Sequence, residues 1–278
     1  MPHRPSAVPL HAVAAAGAAI AGAVVQLPAA APAAAQTRPG FEIGPELYYY
    51  RYEEPDFAKL EGAFAAANGS YTFKGERLFL TLNGIAGAGY LDYSSRGTGS
   101  YSGTWNYMGD LRALGGGDFT LRDGLVASPY SGLGYRLLFD NSSGTVSSSG
   151  ARGYDRLSQY LYLPIGVTFG IAAASWTLRP NIEFDLLLHG WQTSYLSTAD
   201  SRLNDPTNDQ NHGYGIRASI LAEMPTRFGH LSFGPFVRYW NIRTSDPATI
   251  TVRGVPLTNG YEPGNHTIEA GGTVRFGF

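Results

Sequence analysis

Residues 267–278 read TIEAGGTVRFGF and alternate from end to end. Ile268, Ala270, Gly272, Val274, Phe276 and Phe278 fall on one side, and Thr267, Glu269, Thr273 and Arg275 on the other. A period of two puts the two sets on opposite faces of a β-strand, one apolar and one charged. Such a strand fits a soluble sandwich, with the apolar face as core. It also fits an inverted arrangement in which the apolar face meets lipid and the charged face looks into a closed barrel.

Composition favours the second arrangement. The chain has 20 Lys and Arg against 22 Asp and Glu, so it carries no basic excess of the kind nucleic-acid binding needs. With 36 Gly and 18 Tyr it is too rich in ordering and turn residues for a disordered chain. After the first 35 residues no apolar run approaches the roughly 20 residues of a membrane helix. Mean hydropathy is slightly negative, as it is for barrels, because inward and outward side chains average out along each strand. Without cysteine the chain has no disulfide, no thiolate metal site and no lipidated N-terminal Cys.

Residues 1–35 read as a cleaved secretory leader. Arg4 precedes an apolar run from Ala12 to Leu27, and the small residues Ala33 and Ala35 suit a cut before Gln36. Residues 36–278 then form one domain, since no Pro/Ser linker or charge block divides them.

Gly, Asn, Asp, Ser and Pro clusters cut this domain into ten segments, near 42–53, 60–73, 77–93, 105–121, 125–140, 154–171, 176–194, 212–224, 231–244 and 264–278. The connections Lys74–Glu76, Arg122–Gly124, Ala172–Ser175 and Pro225–His230 are short. Those at Ser94–Thr104, Asn141–Gly153, Tyr195–Asn211 and Ser245–Gly264 are long and polar, and the first, Glu54–Lys59, is a shorter member of that set. Both chain ends then lie on the short-turn rim, so the strand count is even. The expected fold is all-β, an antiparallel transmembrane β-barrel of ten strands, with eight or twelve as alternatives.

A leader, alternating short and long connections, and a last strand ending Val274-Arg275-Phe276-Gly277-Phe278 together resemble a Gram-negative outer-membrane β-barrel protein of the small porin-like superfamily. The resemblance covers residues 36–278. It implies export through the periplasm to the outer membrane and contact with outer-membrane lipid and lipopolysaccharide. It also implies delivery by the barrel-assembly machinery, with Phe276 and Phe278 in the assembly signal.

The segment after Trp176 sets the faces. Leu178, Pro180, Ile182, Phe184, Leu186 and Leu188 oppose Arg179, Asn181, Glu183, Asp185 and His189. Arg or Lys on the lipid face costs about 2–4 kcal/mol at the bilayer midplane, so the polar set faces the lumen. The same reasoning collects the inward acids Glu46, Asp110, Asp118, Glu183, Asp185, Glu223 and Glu269, and the inward bases Arg77, Arg112, Arg136, Arg179, Arg217, Arg238 and Arg275. The signs balance, as in a lumen closed by ion pairs. Tyr49, Tyr90, Trp105, Tyr107, Trp176 and Tyr239 suit interfacial girdles.

Candidate chemistry is sparse. Asp185 and His189 share a face but stand about 13 Å apart along a strand. Asp205, Asp209 and His212 resemble the Asp and His of omptin-type outer-membrane proteases, but no second acidic pair accompanies them in Ser94–Thr104. Asp200, Asn204, Asp205, Asn208 and Asp209 lack the spacing of a calcium loop. No cofactor, metal or catalytic residue is expected. The reading is a monomeric, non-enzymatic barrel with a mostly sealed, charge-paired lumen and long outer loops, in a structural or surface-interaction role. The alternatives are a small diffusion channel and a surface protease or lipid A-modifying hydrolase.

Overall fold

Turn residues recur through the chain at intervals that leave strand-length segments between them. In the computed structural model, which describes residues 35–278, those segments pair in sequence until the last meets the first. The leader read over residues 1–35 lies outside the described residues except for Ala35.

The strands are β1 (Gly40–Glu54), β2 (Ala58–Lys74), β3 (Leu78–Ser95), β4 (Gly99–Gly117), β5 (Phe119–Arg122), β6 (Leu125–Asp140), β7 (Asp155–Ala173), β8 (Trp176–Tyr195), β9 (Thr207–Gln210), β10 (Gly213–Thr226), β11 (Gly229–Ile242), β12 (Ala248–Val252), β13 (Val255–Gly260) and β14 (Asn265–Gly277). Ten of them, all but β5, β9, β12 and β13, make a closed antiparallel ring. β14 pairs with β1 from Glu42↔Gly277 to Glu53↔His266, and Phe41 and Phe278 exchange two backbone hydrogen bonds of 3.0 Å. The ring has no free edge, so each spanning strand pairs with a neighbour on both sides, as a lipid environment requires.

The rim holding both described ends carries tight turns at 75–77, 174–175 and 227–228, and the opposite rim carries connections at 141–154, 196–212 and 243–264. The expected long loop Ser94–Thr104 is instead mostly strand. β3 and β4 run through it to a turn at 96–98, and Tyr93 stacks on Tyr101 at 4.6 Å. Beyond the apolar zone a strand needs no hydrophobic face, so its polarity imitates a loop. Two of the other three long polar stretches, Tyr195–Asn211 and Ser245–Gly264, also carry paired strands, β9 on β8 and the β12–β13 hairpin.

The outward face exposes Leu47, Leu82, Leu111, Ile182, Leu186 and Ile220. Tyr49, Tyr90, Trp105, Tyr107 and Trp176 are also exposed there. The middle of the inward face is filled. Tyr48, Tyr50, Tyr52, Phe64, Met108 and Phe236 form one buried cluster, and Tyr160, Tyr162, Leu187, Trp240 and Ile242 a second, with Leu138 packed against both. Two glycines make room for this filling. A Cβ on Gly89 would stand 2.1 Å from the Phe64 ring, and one on Gly134 would stand 2.2 Å from the Tyr162 ring. Glycine at these points lets each ring lie flat against the barrel wall.

Candidate functional site

Pairing register builds the centre of the lumen. It sets Arg217 opposite Glu183, Arg238 opposite Glu269 and Asp110 opposite Arg136, so inward charges of opposite sign face each other across neighbouring strands. Arg217 donates from Nε to Asp185 at 2.7 Å and from Nη2 to Asp110 at 2.7 Å, and its Nε lies 3.1 Å from Glu183. Arg112 donates to the same Glu183 at 2.8 Å. Arg238 donates to Glu269 at 2.8 Å and to Glu46, while Arg136 also donates to Glu269. Hydroxyls complete the belt, Tyr162 to Asp110 and Tyr130 to Glu183, each at 2.7 Å. Charges this deep are tolerated only when paired and hydrogen-bonded. Guanidiniums, with their fixed fork of donors, are suited to bridging two acids at once.

On the turn side of the belt lies a cavity of about 250 Å³. Six arginines line it (Arg38, Arg112, Arg179, Arg217, Arg238, Arg275) with three glutamates (Glu42, Glu46, Glu223). Residues 35–37 cross this mouth. Arg179 donates to the Gln36 carbonyl at 2.8 Å, and Thr37 bonds Asp118 through both its backbone N–H and its hydroxyl. Glu42, Glu223 and His230 are spaced so that three ligand atoms lie within 4.8 Å of one another. Arg38 and Arg179 both hold Glu223, and this double cationic contact opposes a metal ion there.

On the loop side, Arg156 lies 2.8 Å from Glu54, 3.2 Å from Asp140 and 3.5 Å from Glu262. Burial pushes the Glu262 carboxyl up to about 7; Arg156 pulls it down and Glu54 repels its charge. Cavities of about 30 and 150 Å³ flank this cap. The aromatic clusters and the ion-pair belt stand between these spaces and the turn-side cavity.

The structure brings Glu46, Asp110, Arg112, Arg136, Arg179, Glu183, Asp185, Arg217, Glu223, Arg238 and Glu269 into inward ion pairs. Asp118 joins them through Lys74, and Arg275 stands 3.6 Å from Glu46. Arg77 does not belong with them. It is exposed in the turn at 75–77, one residue before β3 begins, where strand parity no longer orients a side chain. His189 is also displaced from the lumen face. An irregularity in the β7–β8 register leaves Leu188 without a partner and reverses the parity, so His189 lies beside Trp191 with Nε2 3.3 Å from Asp209. Asp205 bonds Ser197 instead, and His212 is exposed, so the three omptin-like residues have separate surroundings.

Several participants escaped the sequence reading. Lys74 and His230 lie at strand ends and Arg38 before β1, where the inward set is hard to extrapolate, whereas Glu42 shares the parity of Glu46. Glu54, Asp140 and Arg156 were legible in principle, since Glu54 shares the parity of Glu46.

No protein-family model and no curated protein sequence matches the chain. Among solved structures it is similar to the outer membrane protease OmpT from Escherichia coli, with a TM-score of 0.54 and 9% identity over 86% of this chain and 97% of that one. It also aligns with the translocator domain of the autotransporter NalP from Neisseria meningitidis, at a TM-score of 0.39 and 12% identity, covering 88% of this chain and 91% of that one. The transport unit of the autotransporter AIDA-I from Escherichia coli aligns at a TM-score of 0.39 and 10% identity, covering 87% and 92%. At these identities the likeness to OmpT is one of architecture. The chain has the closed, ten-stranded antiparallel β-barrel fold of outer-membrane proteins.

Proposed function

We propose that this protein is a sealed outer-membrane barrel, exported through the periplasm of a Gram-negative bacterium, whose task is to hold its loop-side surface in place. It acts as a monomer and as neither a channel nor an enzyme. The observation that carries this reading is the filled lumen. Ion pairs that leave Arg136 only 1% exposed and Glu269 fully buried adjoin two clusters of aromatic and aliphatic side chains.

The loop side supports a display role. Asn204 bonds the backbone of Thr249 and Thr251, Asn208 bonds the carbonyls of Asp246 and Gly260, and Arg253 donates its N–H to Arg202 at 2.7 Å. These contacts tie the β12–β13 hairpin to the preceding connection, while Val255, Leu257 and Tyr261 remain exposed. An ordered surface with exposed apolar groups suits contact with a macromolecule. The girdle residues meet lipid and lipopolysaccharide, and Phe276 and Phe278 serve recognition by the barrel-assembly machinery.

Proteoliposomes carrying the folded barrel test the reading. Trapped ions and small sugars should be released no faster than from empty vesicles. Solute release proportional to the amount of inserted barrel would refute a sealed lumen. Hydrolysis of peptide or lipid A substrates would refute the non-enzymatic role.

A further inference from the structure

We infer that the turn-side cavity is a binding pocket for a small soluble phosphate compound, entered from the periplasmic face. The chemistry starts from an imbalance in what faces the space. The cavity of about 250 Å³ is bordered by six arginines and three glutamates, but Arg112, Arg217 and Arg238 are held by the belt acids Glu183, Asp110, Asp185 and Glu269, so the imbalance rests on Arg275.

Those glutamates are already committed. Glu42 accepts from His230 at 2.7 Å, Glu223 is held between Arg38 and Arg179, and Glu46 receives Arg238 and the Asn68 amide. Among the described residues Arg275 is the cavity arginine with no carboxylate oxygen within hydrogen-bonding distance. Its contacts are the Thr273 hydroxyl at 3.4 Å and Glu46 Oε1 at 3.6 Å, and that oxygen already accepts from Asn68 at 2.6 Å. A guanidinium has five donors, and here they border a cavity also lined by Tyr130, Asn181 and Ser219. A tetrahedral oxyanion offers acceptors in several directions and so matches donors that converge from different strands. Arg38, with 37% of its side chain exposed, places the entrance at the turn rim. The filled lumen beyond the belt makes the pocket blind.

The test is calorimetric titration of the full-length folded barrel in detergent with inorganic phosphate and, separately, glycerol 3-phosphate, at constant ionic strength. Saturable binding of either at one site per barrel is expected. Arg275→Gln should weaken it about tenfold or more, the loss expected for one charge-assisted contact. Ser219→Asp, which supplies a competing carboxylate from inside the pocket, should abolish it. Unchanged heat-modifiable gel mobility in both variants shows that the barrel still folds. Absence of saturable heat, equal affinity in wild type and both variants, or displacement of phosphate by an equal concentration of acetate would overturn the inference. Conductance does not enter this readout, so failure of the sealed-barrel reading would be seen separately.

Discussion

Replacing Glu269 by alanine should be among the most damaging single changes to the lumen. Its carboxylate, 0% exposed on β14, joins two guanidiniums, Arg136 of β6 and Arg238 of β11, so it links strands far apart in the ring. Truncation leaves both cations in place. Arg238 keeps Glu46, but Arg136, 1% exposed, loses its carboxylate contact. Removing one partner of a buried pair costs about 3–5 kcal/mol, chiefly because the other charge stays buried and uncompensated. Glu269→Gln keeps an acceptor without the charge and should cost about half as much. Combining Glu269→Leu with Arg136→Met should recover part of the loss, because well-packed apolar replacements of buried pairs are often neutral. Equilibrium unfolding in urea with lipid vesicles, followed by tryptophan fluorescence and heat-modifiable mobility, measures all three. A loss below about 1 kcal/mol for Glu269→Ala would match a solvated ion pair and refute a dry, sealed belt.

Other expectations probe the faces, the closure and the cap. Ile182→Arg, on the lipid face, should cost about 2–4 kcal/mol, whereas Asn181→Arg, one residue away and facing Tyr130 and Thr168, should cost clearly less. Equal losses in vesicle unfolding would mean that the faces are misassigned. Deleting Phe278 removes both backbone bonds to Phe41 and the ring contact at 5.6 Å, so the yield of outer-membrane-inserted barrel in cells should fall. Normal yield would count against the assembly role. The Glu262 carboxyl titrates near 7 in the folded protein against 4.5 as its ordinary value, so the folded state binds more protons between those limits and stability falls as pH rises through them. Glu262→Gln should flatten that slope in unfolding midpoints compared at pH 5 and pH 8, and a slope as steep as in wild type would remove Glu262 as its source.

The face assignment was legible because long strands keep their parity. Arg179 to Asp185 and Arg217 to Glu223 need only alternation to be placed inward, while counting rims requires an even strand number and leaves eight and twelve beside the observed ten. What alternation does not encode is where parity breaks or stops mattering. Leu188 shifts the register and carries His189 away from Asp185, and nothing in the local residue types announces it. Arg77 lies one residue before β3 begins, where alternation no longer fixes a face. Ser94–Thr104 failed for a different reason: polarity marks exit from lipid, not the end of pairing. The aromatic filling was partly readable, since Tyr48, Tyr50 and Tyr52 share the parity of Glu46, yet girdle and lumen tyrosines are the same residue type. The arginine-lined turn-side cavity is not readable from alternation at all, because it depends on which acids turn toward the belt.

The most direct test of a sealed lumen is single-channel recording in planar bilayers, wild type beside the double variant Tyr162→Ala/Trp240→Ala, which removes the edge-on ring pair at 5.1 Å. The wild type should stay silent at every voltage, and the hollowed variant should show discrete, salt-dependent steps. Such steps from the wild type itself would make the belt arginines the walls of a conducting path and contradict the account.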